Sequence, residues 1–130
     1  MNIQAKKYSG NPILTPRVAK GSFEKACVYN PAAIVKDEKV YLLYRAEQGY
    51  YASYNSRIGL AVSDDGFTFE RAQDTPIIDI TESREEEKRG LEDPRIIRLE
   101  DGRYFITYTA YAGMDEKGQK ITLAGAFSFL

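Results

Sequence analysis

One pattern occurs twice in this chain, and that repeat constrains its fold more than any other feature. NPAAIVKDEKVYLLYRA begins at Asn30 and DPRIIRLEDGRYFITYTA begins at Asp93, an offset of 93 − 30 = 63 residues. Each copy reads polar residue, proline, apolar run, polar turn, tyrosine-rich run. After one inserted residue Tyr44 and Ala46 fall on Tyr108 and Ala110. Further on, Arg57-Ile58 and Leu60-Ala61 fall on Lys120-Ile121 and Leu123-Ala124, again at an offset of 63. A segment repeated at such a period is one supersecondary unit that cannot bury its apolar surface alone and stacks on its neighbours.

The runs inside the unit are strand-like. KVYLLYRA (39–46), RIGLAVS (57–63), GFTFER (66–71), RYFITYTA (103–110) and KITLAGAF (120–127) are rich in β-branched and aromatic residues. They are apolar on both faces rather than alternating, which predicts strands covered on both sides. Turn signals separate them: DE at 37–38, SDDG at 63–66 and DG at 101–102. No stretch has helical periodicity. REEEKRG (84–90) is expected to form a short turn, with Glu85 to Glu87 as a solvated charge run. The expected fold is all-β: a β-propeller of about two four-stranded blades, in units of approximately 22–71 and 85–130 within one partial domain, 1–130. SDDGFTF suits a tight polar hairpin in such a blade and is one residue short of an Asp-box, so it reads as a structural turn and not as a calcium site. Two blades do not close a ring, since propellers use about four to eight. Sheet faces and edges would stay exposed, so either further blades or a homo-oligomer is expected to cover them.

Composition removes several kinds of chemistry. There is no histidine, which excludes Ser-His-Asp and Cys-His catalysis and the His-Glu-x-x-His metal sites. One cysteine, Cys27, rules out an intrachain disulfide framework and makes a structural zinc unexpected. The 18 basic and 19 acidic residues balance, so neither nucleic acid nor an anionic membrane is an expected partner. The opening MNIQAKKYSGNPILTP has no apolar core of signal-peptide length, and no segment is long enough to span a bilayer. A cytoplasmic protein without metal or organic cofactor is the expectation. Chemistry falls to carboxylates, Lys, Arg and hydroxyls.

The repeat also singles out residues for that role. In a propeller the first strand of each blade lines the central axis, and Asn30 and Asp93 immediately precede it in the two copies. Each stands before a proline, which biases it toward extended backbone and fixes where its side chain points. Gly90 would let the approaching loop bend sharply. Positions 93 and 95 share a face in an extended run, so Arg95 is expected to sit near the Asp93 carboxylate and lower its pKa. Glu92 adjoins both. Arg45 ends a tyrosine-rich strand, where it could simply pair with Glu47 or another surface acid. Tyr41, Tyr44, Tyr104 and Tyr108 read as packing residues. Tyr50, Tyr51 and Tyr54 stand in the loop segment GYYASYN.

The ordered set NPILTP (11–16), VYNPAAIV (28–35), VYLLYRA (40–46), SRIGLAVSDDGFTF (56–69), GLEDPRI (90–96) and YFITYTAY (104–111) resembles the N-terminal part of glycoside hydrolase family 130. That family holds inverting β-mannoside phosphorylases and related β-mannosidases built as five-bladed propellers. The resemblance covers nearly all of this chain but less than half of a family member. It implies phosphorolysis of β-1,4-mannosides to mannose 1-phosphate, with Asp93 of the G-x-E-D-P-R motif as catalytic acid, protonating the glycosidic oxygen through a hydroxyl of the bound mannose. Inorganic phosphate would be the co-substrate and attack from the opposite face; a water-using relative needs a second carboxylate as base. The resemblance further makes Asn30, Arg45, Ser56 and Arg57 candidate sugar contacts, with Glu92 and Arg95 beside the acid and Tyr50, Tyr51 and Tyr54 as candidates for stacking on the sugar ring. Lys120, at the repeat position of Arg57, is a candidate phosphate ligand, against which Arg57 also reads as a strand-edge solubilising charge. Much of the family's phosphate-binding set is expected beyond residue 130. A non-catalytic carbohydrate-binding or assembly module, or a purely structural propeller piece, is therefore kept as the alternative to an enzyme, and a β-mannosidase that hydrolyses its substrate as the alternative to a phosphorylase.

Overall fold

The computed structural model of the chain describes residues 3–49, 55–80 and 84–129, with side chains as far as residue 125. Seven strands form: β1 (Cys27–Lys36), β2 (Lys39–Glu47), β3 (Ser56–Ser63), β4 (Glu70–Arg71), β5 (Gly90–Arg98), β6 (Tyr104–Met114) and β7 (Lys120–Phe129). A 3-10 turn, Glu85–Glu87, precedes β5, and no α-helix occurs among the described residues. Strands β1, β2 and β3 make an antiparallel meander with β4 on the outer edge of β3, and β5, β6 and β7 make a second. One parallel bridge, Ser56 to Gly90, joins them. The fold is all-β, two open propeller blades side by side.

Local chemistry explains the turns. Asp37 and Glu38 both take positive φ (50° and 61°), the backbone of a two-residue hairpin whose twist matches its strands. In the loop after β3 the Asp65 carboxylate accepts the amides of Phe67 and Thr68 at 2.8 and 2.7 Å, and Ser63 Oγ accepts that of Gly66 at 2.8 Å. Those two amides and the Ser63 hydroxyl hold Asp65 well below the usual carboxylate range.

Both-sided apolar runs arise because β2 feeds two cores. Leu42, Tyr44 and Ala46 face one way, onto Phe23 and Ala61, with Ile13 and Leu14 of the N-terminal segment packed against them. Leu43 faces the other way and joins Ile58 of β3 to Leu91, Ile106 and Ala110 of the second blade. Ile58, Leu91 and Ile106 are fully buried at this seam, each contributing roughly 1.5–3 kcal/mol relative to exposure. Tyr41 and Tyr104 line a cleft of about 160 Å³ along the same seam with Leu60 and Ile96, while Tyr44 and Tyr108 are core residues.

Four expectations need correction. Coverage on both faces holds for β2 but not for Leu123 on β7, which is more than half exposed because no described element packs over it. The blades are not equally four-stranded: β4 is two residues long, and the second blade has three strands among the described residues. Within the third strands the repeat offset is 66, not 63, because Tyr44 pairs with Gly59 and Tyr108 with Gly125. Arg57 pairs with Ala46 and Leu123 with Ala110, so the counterpart of Arg57 is Leu123 and not Lys120. Finally, Glu87 is no solvated residue. It is 1 % exposed and receives the Tyr108 hydroxyl at 2.5 Å.

Candidate functional site

Strands β1 and β5 are the inner strands, and each contains the same irregularity. Pairing with the neighbour slips between Tyr29 and Ala32 in β1 and between Glu92 and Arg95 in β5, leaving Asn30-Pro31 and Asp93-Pro94 as bulges. Asn30 and Asp93 adopt φ of 48° and 52°. This overturns the extended backbone expected before proline. The left-handed region is uncommon for residues with a side chain, and Asn and Asp populate it several-fold more than others. A bulge re-aims the side chain out of the alternating pattern of its strand. Here the two bulges aim at each other: Asn30 Nδ2 donates to Asp93 Oδ1 at 2.6 Å.

Gly90 makes that convergence possible. Its φ is 151°, and a Cβ there would lie 2.9 Å from the Ser56 amide nitrogen, so only glycine lets β5 start against β3. The strands then place a compact charge cluster behind Asp93. Arg45, on β2, is its hub. One terminal nitrogen contacts Glu47 Oε1 at 2.9 Å and Glu92 Oε1 at 3.1 Å, the other reaches Asp93 Oδ1 at 3.2 Å, and Nε donates to Ser56 Oγ at 3.2 Å. The guanidinium also lies 4.8 Å from the ring centre of Tyr29, whose hydroxyl donates to Glu47. Lys120 Nζ meets Glu92 Oε2 at 3.0 Å and lies 4.5 Å from the ring centre of Tyr111. Arg45, Glu47, Ser56 and Glu92 are all at most 6 % exposed, whereas the Asp93 side chain is 37 % exposed. One carboxylate opens to solvent while its supports are buried.

The electrostatics follow. Burial alone would raise the pKa of Asp93, but the Asn30 amide and the Arg45 guanidinium outweigh it and hold the carboxyl below its usual range. Burial likewise works against charge on Arg45, and Tyr29, Glu92 and Glu47 outweigh it. Tyr29 is pushed up to about 12 by burial and by its bond to Glu47, so it stays a protonated donor. At rest Asp93 is an ionised acceptor.

The sequence-derived candidates thus separate. Asn30, Asp93, Arg45, Ser56, Glu92 and Lys120 form one contact network. Arg95 and Arg57 do not join it through their side chains. Arg95 donates to the carbonyls of Pro94 and Asp93 at 2.7 and 3.4 Å rather than to a carboxylate, because the bulge turns the Asp93 side chain away from its strand neighbour. Arg57 lies on the face of β3 opposite Ser56 and pairs with Asp79 at 2.7 Å. Tyr50, Tyr51 and Tyr54 lie outside the described residues. Ser56 is wholly buried between Arg45 and Glu47, which makes it a support. Arg45 does pair with Glu47, as one of its two readings had it, but Glu47 is buried rather than a surface acid, and Tyr29 is a member the sequence reading missed. Glu47 stands two residues from Arg45 on one strand and so shares its face, a signal that reading it as a surface acid discarded. Nothing in the sequence announces the cross-strand partner Tyr29.

The fold and this cluster define a β-propeller protein whose adjoining inner strands present an amide and a carboxylate to one another. Residues 6–130 match the family model of the β-1,4-mannooligosaccharide phosphorylases, glycoside hydrolase family 130. The chain belongs to that family. It is 40% identical over 126 residues to a 1,2-β-oligomannan phosphorylase of Thermoanaerobacter sp. strain X514, covering 94% of this chain and 41% of that protein. It is 35% identical over 119 residues to a β-1,2-mannobiose phosphorylase of the same organism, covering 84% and 38%. A glycosyl hydrolase structure from Bacteroides ovatus superposes with a TM-score of 0.71 at 27% identity, covering 93% of this chain and 37% of that one. The chain spans about two fifths of the length of the curated relatives it matches.

Proposed function

We propose that residues 1–130 form the acid-bearing part of a β-mannoside phosphorylase site, with Asp93 as the proton donor to the glycosidic oxygen. The observation that carries this reading is the Asn30–Asp93–Arg45 arrangement: one carboxylate, partly open to solvent, oriented by two donors and backed by buried charges. Both donors occupy Oδ1, which leaves Oδ2 to meet a sugar hydroxyl. The relay runs on the protonated carboxyl: Asp93, ionised at rest, takes up a proton from solvent, then gives it to the sugar hydroxyl as that hydroxyl passes its own proton to the glycosidic oxygen, leaving the carboxylate. Inorganic phosphate would then attack the anomeric carbon from the opposite face, inverting it, with no general base required. The curated relatives carry β-1,2-linked substrates in their names and the family model a β-1,4-linked one. The substrate class proposed is therefore the β-mannoside, with the β-1,2 linkage first in the assay and the β-1,4 linkage second.

The test is formation of mannose 1-phosphate from β-1,2- and β-1,4-mannobiose with inorganic phosphate, by wild type and Asp93→Asn, together with binding of the same disaccharides. Asp93→Asn is expected to abolish turnover, by at least about 10²-fold, while disaccharide binding persists. Turnover that survives the substitution rejects the role of Asp93. A second reading, a sugar-binding unit without turnover, is favoured by one feature: Arg45 and Lys120 are already engaged by carboxylates. It predicts saturable binding with no phosphate-dependent product.

A further inference from the structure

Each blade contains the same three-part device outside the site described above. A buried glutamate precedes the first strand, Glu24 or Glu87. A second-strand tyrosine, Tyr44 or Tyr108, donates its hydroxyl to that glutamate at 2.9 or 2.5 Å. Opposite the tyrosine, the third strand carries a glycine, Gly59 or Gly125, where a Cβ would fall inside the tyrosine ring.

The two copies differ in their counter-charge. Glu24 Oε1 receives the Nε atoms of Arg17 and Arg71, each at 2.5 Å. Arg71 reaches it from β4, which pairs with the outer edge of β3 so that Arg71 stands opposite Ala61. In the second blade Glu87 Oε1 accepts Tyr108, with the half-exposed Arg84 at 3.6 Å, beyond hydrogen-bond reach. Glu87 Oε2 is buried and has no hydrogen-bond partner among the described residues. Beside it, β7 is the last strand of the sheet and its outer edge is unpaired among the described residues. A buried carboxylate oxygen without a donor is among the costliest features a fold can carry. An open strand edge is a template for another strand.

We propose that the outer edge of β7 receives a short strand carrying an arginine whose guanidinium closes on Glu87, as Arg71 of β4 closes on Glu24. The repeat gives its register. Leu42 pairs with Ala61 and Ile106 with Phe127, so the arginine stands opposite position 127. The occupant is propeller polypeptide from outside residues 1–130, of which the curated relatives have more than half their length beyond the match. The inference is independent of the catalytic reading and stands or falls apart from it.

Thermal unfolding of the 130-residue protein provides the first test. Glu87→Gln removes a buried charge whose second oxygen has no donor and should raise the midpoint by about 3 °C or more, whereas Glu24→Gln, which strands two arginines, should lower it. The second test adds a peptide copying residues 66–76, GFTFERAQDTP, which contains β4. At millimolar concentration it should raise the midpoint of the wild type. A citrulline at the Arg71 position, or Glu87→Gln in the protein, should remove that rise. The proposal is overturned if Glu87→Gln destabilises as Glu24→Gln does, or if the arginine peptide has no effect. Equal action of both peptides on wild type and variant also overturns it, as does a homodimer lost on Glu87→Gln, which would make a second copy the occupant.

Discussion

Arg45→Met is the sharpest test of how the site is held. The wild-type guanidinium contacts Glu47, Glu92 and Asp93 at 2.9, 3.1 and 3.2 Å, and Glu47 and Glu92 have side chains only 5 and 4 % exposed. Methionine fills much of the volume but leaves two buried carboxylates with Lys120 as their remaining described cation. Breaking a buried pair from one side costs about 3–5 kcal/mol. Unfolding entropy of about 2.1 cal/mol/K per residue over 130 residues converts each kcal/mol into about 3–4 °C, so the midpoint should fall by about 10–18 °C at pH 7. The penalty has a pH signature. The cost comes from charge on the stranded carboxylates, so it is present while they are ionised and fades as acid neutralises them. Circular dichroism melts of wild type and variant at pH 7 and pH 4 should show the gap narrowing sharply in acid. A variant within about 3 °C of wild type at pH 7, or a gap independent of pH, would refute the claim that Arg45 neutralises this cluster.

Gly59→Ala and Gly125→Ala should each destabilise by about 1–3 kcal/mol in urea unfolding, because the added methyl enters the ring of Tyr44 or Tyr108; an unchanged midpoint for both would show that the rings move aside freely. Asn30→Asp puts a second carboxylate 2.6 Å from Asp93, so one of the pair keeps its proton above the unfolded value of about 3.9 and stability is lost as pH rises through that raised pKa. The exchange Asn30→Asp with Asp93→Asn restores one amide and one acid and should recover most of the loss at pH 7. Equal stability of the single variant at pH 5 and pH 7 would contradict the contact.

How much of this was legible in the sequence depends on the range over which each signal acts. The doubled pattern marked Asn30 and Asp93 as equivalent positions, because position in the blade is a property of the repeat, but put them just ahead of the first strands, whereas they lie within β1 and β5. It misjudged their backbone. Proline's steric effect on the preceding residue is local, and the left-handed bulge that wins arises from pairing with β2 and β6, which no dipeptide encodes. Arg95 does help lower the Asp93 pKa through space, as expected, but makes no bond to its carboxylate, since the bulge between the two residues breaks the period-two alternation. Glu87 was misread as solvated although it stands 63 residues after Glu24, and each precedes a tyrosine-rich strand. The charge run around it concealed a buried acid. The third-strand offset went wrong because matching Ile and Leu letters was preferred to the glycine facing each tyrosine, although steric complementarity fixes register more tightly than hydrophobicity does.

The charge count at the site bears directly on the choice between phosphorolysis and sugar binding. Glu47, Glu92 and Asp93 bring three negative charges into the described network, and Arg45 and Lys120 bring two positive ones. A neutral mannoside can meet such a cluster without penalty, since its hydroxyls donate to Asp93 and accept from Asn30. A phosphate dianion cannot, because it would add like charge beside an already anionic group in a partly desolvated place. Arg45 cannot be diverted to the anion without stranding the buried carboxylates behind it. If the proposed phosphorolysis holds, phosphate would therefore be held from the other side of the sugar ring by cations outside this network, the side that inverting attack requires. On that proposal the division of labour is physical: these two blades would supply the acid and the orientation of the sugar, and the opposing wall of the funnel would supply the positive charge for the nucleophile.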